Sequence, residues 1–259
     1  MDELRLAQLT DPDGRVGRSL EYHERIGSTN DRARERLTGG DDGVVVIADM
    51  QTAGRGRRGR SWESPAGVNL MLSVGLALNL SADVAWQLGA SAALAVRAAA
   101  APWAELKVKW PNDLVTPAGE KVAGLLLETA LAGDRVVQAI VGIGINVNWE
   151  RAVMPPEIAA RATSLQDLAG AQVDRMVLLG RLLAELDAEV VALERAESPL
   201  ERLRDASWLD GREVRVTADQ GEVEGVVAGI GDDGALVIET ARGRLAVAYG
   251  EVVAVAVPV

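Results

Sequence analysis

The chain has 259 residues, 48% hydrophobic and 25% charged, with 38 acidic side chains against 27 basic ones and a formal net charge of -11. It has no cysteine and a single histidine, which excludes disulfides, thiolate metal sites, a cysteine nucleophile and a histidine-built metal centre. No run approaches the roughly 20 apolar residues of a membrane span, and net acidity opposes nonspecific nucleic-acid binding.

Residues 1–18 read as polar, with a turn at Asp11-Pro12-Asp13-Gly14. The start, Met1 to Arg5, is charged and lacks the apolar core of a secretory signal, so the expected location is the cytoplasm. A strand over Leu20–Glu24 precedes a helix over Asn30–Leu37, capped by Ser28 or Thr29. Gly43–Asp49 and Val68–Leu78 read as strands, and Ser81 as the cap of a long helix from Ala82 to Ala100. Short strands at Leu106–Trp110 and Leu114–Val115 flank a Pro-Asn-Asp corner, and a turn follows at Pro117-Ala118-Gly119. Val122–Leu131 and Arg135–Val147 form a hairpin across Ala132-Gly133-Asp134. A short helix at Ser164–Ala169, a long one from the Asp174 cap to about Ala196, and another at Leu200–Ala206 come next. From Leu209 the pattern is all β: Glu213–Val216, Glu222–Gly229, Ala235–Glu239, Gly243–Ala248 and Val252–Val257. Turns such as Asp219-Gln220-Gly221 and Asp232-Asp233-Gly234 separate these strands, which predict a small barrel.

The densest chemical signal is the stretch from Gln51 to Trp62. It places Arg55, Arg57, Arg58 and Arg60 among Gly54, Gly56 and Gly59, against the charge of the whole chain. Glycine lets backbone approach a ligand, and arginine forks suit phosphate and carboxylate. The loop formally matches GxGxxG, but a strand rather than a helix follows it, so a dinucleotide site is a weak reading. A solvated basic turn, or a segment touching nucleic acid, is the plainer alternative. Every lysine falls in one region, Lys107, Lys109 and Lys121, while arginine serves everywhere else. That bias marks Lys109 and Lys121 as places where a compact ammonium is needed; Lys107 reads as an exposed hairpin residue.

Five segments occur in order: Ser28-Thr29-Asn30, the Gly/Arg loop, Lys109-Trp110-Pro111-Asn112-Asp113-Leu114, the run from Lys121 to Glu128, and Gly142-Ile143-Gly144-Ile145-Asn146-Val147-Asn148. Together they resemble the biotin protein ligase family, strongly from Tyr22 to Asn148 and more loosely to the C-terminus. The resemblance implies an α+β fold: a mixed-sheet, class II synthetase-like catalytic domain over residues 1–208, then a small SH3-like β-barrel over 209–259. Fewer than about 25 residues precede the motifs, less than a small domain needs, so a form without the family's N-terminal DNA-binding domain is expected.

The activity implied is ATP-dependent formation of biotinyl-5'-AMP, then transfer of biotin to a lysine of a biotin carboxyl carrier domain of an acyl-CoA carboxylase. The partners are biotin, ATP and that domain, with neither DNA nor membrane. By the same resemblance Ser28, Thr29, Asn30 and Gln51 face the ureido head of biotin. Gly54, Arg55, Gly56 and Arg57 line its carboxylate end, and Gly124 leaves room for it. Arg57, Arg58 and Arg60 reach phosphate, Trp62 packs near adenine, and Asn146 reads adenine. Lys121 stands between carboxylate and α-phosphate as the chief catalytic residue, with Arg57 and Asp113 beside it. Asp113 positions Mg²⁺ indirectly or orients the incoming amine; an Asx-turn role is its alternative. Mg²⁺ accompanies ATP, held mainly by phosphates. Lys109 and Asn112 rank lower, with structural roles open. The Gly/Arg loop is expected to be a lid that orders on anion binding. Two alternatives stay open: a lipoate protein ligase of the same fold, and a nucleic-acid-binding regulator using the basic loop.

Overall fold

The computed structural model describes residues 3–218 and 221–255. In chain order the elements are α1 (Glu3–Ala7), β1 (Ser19–His23), α2 (Thr29–Thr38), β2 (Val44–Ala48), β3 (Leu70–Ser81), α3 (Trp86–Ala100), β4 (Lys107–Lys109), β5 (Asp113–Val115), β6 (Lys121–Ala132) and β7 (Arg135–Ile145). There follow α4 (Pro156–Ala159), α5 (Leu165–Ala169), α6 (Arg175–Glu194), α7 (Leu200–Ala206), β8 (Glu213–Ala218), β9 (Gly221–Ile230), β10 (Leu236–Thr240), β11 (Gly243–Val247) and β12 (Gly250–Val255).

Strands β1 to β7 make one seven-stranded sheet in the order β1-β2-β3-β7-β6-β5-β4. Only β1 and β2 run parallel; every other pair is antiparallel, giving the mixed sheet expected. Strand periodicity decides which face each residue serves. Val45 and Ile47 of β2 join the main core, whereas Val44 and Val46 pack with Ala33 and Leu37 of α2 on the opposite face. Leu70, Leu72, Val74 and Leu76 of β3, with Val141, Ile143 and Ile145 of β7, turn to the main core beneath α3 and α6. Met71, Ser73, Gly142 and Gly144 therefore turn the other way. That second face, beside α2, carries the site.

The remaining strands form a five-stranded antiparallel sheet in the order β11-β10-β9-β8-β12, the SH3-like C-terminal module. Its own core is Leu209, Val214, Val216, Val227, Leu236, Ile238, Val247 and Val252, and Trp110 from the β4–β5 corner is inserted among them. Trp110 Nε1 donates to Gly234 O at 3.2 Å, and Trp208 Nε1 to Pro117 O at 3.0 Å, so the two sheets are joined by indoles.

Several boundaries differ from expectation. The helix predicted from Ala82 starts at Trp86, after a 3-10 turn over Ala82–Val84. The cause is the hairpin: β3 still pairs Ser81 with Arg135, and Ala82 N–H donates to Asp134 O at 2.8 Å. A short helix, α1, lies in the stretch read as polar, with Leu6 buried. Asp174 caps α6 as expected, accepting from Met176 N and Val177 N. Ser164 caps α5 by accepting from Asp167 N. Ser28 stands at the N-cap of α2, but its hydroxyl makes no capping bond. Asp219 and Gln220 of one predicted turn, and Ala256 and Val257 of the last predicted strand, lie outside the described residues. No helix among the described residues is long and apolar enough to cross a membrane.

Candidate active site

A cavity of about 520 Å³ opens on the α2 face of the large sheet. Small residues make it: Gly124 on β6 and Gly142 and Gly144 on β7 leave the face bare at the centre. A Cβ at Gly144 would lie 2.5 Å from the Trp62 indole, and one at Gly142 would lie 2.3 Å from Asn30 Oδ1. A Cβ at Gly124 would meet Lys121 Nζ at 3.0 Å. Any side chain there would fill the space that Trp62, Asn30 and Lys121 now occupy.

One end of the cavity is neutral and polar. Ser28, Thr29 and Asn30 come from the start of α2 and are all buried. Gln51 Oε1 accepts from Thr29 N at 2.8 Å and lies 3.1 Å from Thr29 Oγ1. Gln51 Nε2 reaches Met71 Sδ at 3.6 Å. Asn30 is held on both sides: its Nδ2 donates to Glu128, and its Oδ1 accepts from Ser73 Oγ at 2.6 Å.

The Gly/Arg loop forms the roof. Arg55 and Ser61 pair in an antiparallel bridge, and a 3-10 turn spans Arg57–Gly59. Gly54 does not line the cavity; it closes the base of the loop, where a Cβ would meet Trp62 O at 2.6 Å. Arg58 takes up φ 55°, a left-handed conformation uncommon outside glycine. Arg55 grips Asp31 through both Nη atoms, at 2.7 and 2.6 Å. Arg60 pairs with Glu251 of β12, and Arg58 Nη2 reaches Thr217 O of β8 at 3.4 Å. Thus the C-terminal module holds the roof, and Glu251, Val252 and Val253 line the cavity. Gly56 also lines it.

Arg57 is different. Among the described residues it makes no ion pair, only long bonds of 3.4 Å to Asn112 Oδ1 and Gly250 O. Burial lowers its pKa below the ordinary guanidinium value, and the neighbouring Arg58 adds to this. A desolvated cation beside a like charge is a place for an anion.

Lys121 opens β6, with Nζ 2.7 Å from Asp113 Oδ1 and 5.6 Å from the centre of the Trp62 ring. Its backbone is clamped on both sides: Lys121 N donates to Arg161 O and its carbonyl accepts from Thr163 N. Asn146, at the end of β7, is buried, and its Nδ2 donates to Thr163 O at 3.1 Å. Asn112 Nδ2 bonds Leu125 O at 2.7 Å, which stiffens the corner carrying Asp113. Lys109 lies 5.6 Å from the Trp208 ring centre, and burial lowers its pKa below the usual ammonium range.

Apart from Gly54, every expected site residue lines this one cavity. Sequence reasoning missed Glu251 and Ser73. It quoted Glu128 in a motif without giving it a task. Among the described residues no three His, Asp or Glu side chains converge to hold a metal ion. Of the three acids lining the cavity, Asp113 is paired with Lys121, Glu251 with Arg60, and Glu63 lies 3.3 Å from the Ser61 hydroxyl.

Residues 22–146 match the Biotin/lipoate A/B protein ligase family, and residues 211–254 the Biotin protein ligase C terminal domain. A Mycobacterium tuberculosis biotin–[acetyl-CoA-carboxylase] ligase is 38% identical over 246 residues, covering 91% of this chain and 89% of that protein. The biotin protein ligase from Aquifex aeolicus, solved with biotin and ATP, superposes with a TM-score of 0.74 at 30% identity, over 90% of this chain and 97% of that one. The Leishmania major enzyme with biotinyl-5-AMP gives a TM-score of 0.59 at 25% identity, over 89% of this chain and 99% of that one. The fold, the ordered motifs and these likenesses agree, and the chain belongs to the biotin protein ligase family.

Proposed function

We propose that this chain activates biotin with ATP to biotinyl-5'-AMP and passes biotin to a specific lysine of a biotin carboxyl carrier domain of an acyl-CoA carboxylase. The observation that carries this reading is the joining, in one cavity, of a neutral hydrogen-bonding end to a cationic stretch. Thr29 and Gln51 make the first; Lys121 and Arg57 make the second. A bicyclic urea suits the first end, and a carboxylate meeting a phosphate suits the second.

In the first step a carboxylate oxygen attacks the α-phosphorus and pyrophosphate leaves. Charge grows at the junction, and fixed cations in a water-poor site stabilise it. Lys121 is assigned that junction, with Arg57 over the phosphates. Arg58 and Arg60 are placed within reach of the departing pyrophosphate once Arg60 releases Glu251. In the second step the acceptor amine attacks the acyl carbon and AMP leaves. Asp113, beside Lys121, is placed to receive or orient the amine's proton. The Ser28 hydroxyl, which makes no capping bond to α2, is assigned to the urea, and the buried Asn146 amide to adenine. The Trp62 plane is wedged against Gly124 and Gly144 at the middle of the cavity. Mg²⁺ is assigned to the phosphates of ATP, with no step of this chain routed through it. The catalytic region is drawn as residues 1–208 and the C-terminal module as 209–259, and the cytoplasm is the expected compartment.

The test is pyrophosphate–ATP isotope exchange on the purified chain. Exchange that depends on biotin and is not supported by lipoate is expected. Exchange driven by lipoate instead would overturn the substrate assignment.

A further inference from the structure

The hydrogen-bond chain beneath the neutral end of the cavity has one self-consistent proton order. Ser73 is fully buried on β3. Its Oγ lies 2.6 Å from Asn30 Oδ1 and 2.7 Å from Thr29 Oγ1. A hydroxyl has one proton, so it can donate to only one of them. The Asn30 amide decides which. One of its ends faces Glu128 Oε2, which also pairs with the Arg34 guanidinium at 3.0 Å; a carboxylate oxygen held by a guanidinium only accepts. That end must be the NH₂, so the carbonyl faces Ser73 and must receive a proton. Ser73 therefore donates to Asn30, and at 2.7 Å it must accept from Thr29.

Thr29 has a second neighbour, Gln51 Oε1 at 3.1 Å, but that oxygen already accepts the Thr29 N–H at 2.8 Å. If the Thr29 proton went to Gln51, the Ser73 and Thr29 oxygens would meet lone pair to lone pair at 2.7 Å. The proton goes to Ser73. The order runs from Thr29 to Ser73 to Asn30 to Glu128, and the Thr29 hydroxyl has only lone pairs left for the cavity.

We propose that Ser73 and Glu128 are positioning residues that fix the Thr29 hydroxyl as a hydrogen-bond acceptor, so that the cavity selects a ligand presenting an N–H at that point. Neither residue reaches the ligand; both act through Thr29. The proposal rests on the biotin reading and deepens it: one urea N–H is what the acceptor recognises. A ring bearing oxygen or N-methyl there leaves two acceptors, or a methyl group, against Thr29. Sites built around a buried polar partner reject such analogues strongly.

The experiment is a double-mutant cycle on biotin binding, measured by calorimetry and by KM in the exchange assay. Ser73→Ala should weaken biotin about ten-fold, the size of one buried hydrogen bond, while KM for ATP and the maximal exchange rate stay within about two-fold. Ser73→Thr keeps the hydroxyl and should stay within about three-fold of the parent. Thr29→Val should weaken biotin similarly, and adding Ser73→Ala to it should cost nothing more. Undiminished loss from Ser73→Ala in the Thr29→Val background would overturn the relay. If Ser73→Ala does not fold, Glu128→Ala, which removes the acceptor for Asn30 Nδ2 from a partly exposed side chain, carries the same cycle. Its loss must likewise vanish in Thr29→Val, and a loss of equal size in both backgrounds overturns the proposal. A parent chain that binds no biotin would instead refute the functional reading and be recognised at once as that failure.

Discussion

Lys121 Nζ and Asp113 Oδ1 stand 2.7 Å apart across the β5–β6 pair, each at the first residue of its strand. A bulge between Leu114 and Val115 shifts the register there, pairing Asp113 with Gly124 and Val115 with Lys121. The glycine leaves room for the ammonium to fold back toward the acid. Asp113 thus holds Lys121 over the cavity without burying it, since both side chains keep access to solvent. A ligand anion can replace the carboxylate with little rearrangement.

Lys121→Ala is expected to lower the single-turnover rate of adenylate formation by about 10²–10³, the range for one positioned electrostatic group. ATP binding should suffer less than turnover, because the contact tightens as charge develops. Lys121→Arg should rescue only partly, since a planar fork does not fit the point between Gly124 and Asp113. A folded Lys121→Ala variant reacting within a few-fold of the parent would show a structural role only.

Gly144→Ala separates two tasks for Trp62, core filler or cavity wall. The added Cβ would lie 2.5 Å from the indole. Trp62 sits at the end of a loop rather than in a strand, so the loop should lift. Biotin affinity is expected to fall while the denaturation midpoint moves little. A stability loss of about 1–3 kcal/mol, as for overpacking a rigid core, with biotin binding intact would assign Trp62 to the core.

The parts of this site legible in the sequence are those whose partners lie near in motif order. Thr29 and Gln51 belong to consecutive motifs, and their bond follows from β1 and β2 lying parallel as neighbours. Ser73 was not legible for a physical reason. Alternation of Leu70, Leu72 and Val74 puts it on the other face of β3, but alternation does not say what covers that face. Glu251 was hidden by distance, 191 residues from Arg60, on a strand whose pattern records only its own barrel. Trp110 shows the converse. It belongs to a motif read as catalytic, and it lines the cavity, yet its indole is also an anchor in the C-terminal core.

Glu21 predicts an acid limit to stability. Burial alone would raise its pKa, but hydrogen bonds from Arg32, His23 and Arg36 overcome this and hold the carboxyl at about 2, against an ordinary 4.5. The folded state thus binds this proton more weakly than the unfolded chain. The stabilisation is complete above about pH 4.5 and is lost as pH falls through about 2. Glu21→Gln should lower the melting temperature at pH 7 and flatten its pH dependence across that window. A variant with the parent's slope there would place the acid sensitivity elsewhere.

The roof loop carries four arginines, and they are satisfied unequally. Arg55 has Asp31 and Arg60 has Glu251, whereas Arg57 and Arg58 make no ion pair among the described residues. Like charges without an anion repel, and the loop's hold on the C-terminal module rests on a few contacts through Arg57, Arg58 and Arg60. An anion beneath the loop should neutralise Arg57 and tighten the whole segment. Amide hydrogen exchange over residues 54–62 is therefore expected to slow on adding biotin and ATP. Glu251→Ala removes the carboxylate that pins Arg60, so exchange in the variant without ligand should exceed that of the parent without ligand. With biotin and ATP bound, the two should converge, because phosphate oxygens then take the place of Glu251. Exchange indifferent to ligand in the parent would sink the lid. Convergence failing only in the variant would show that Glu251 holds the closed loop as well as the open one.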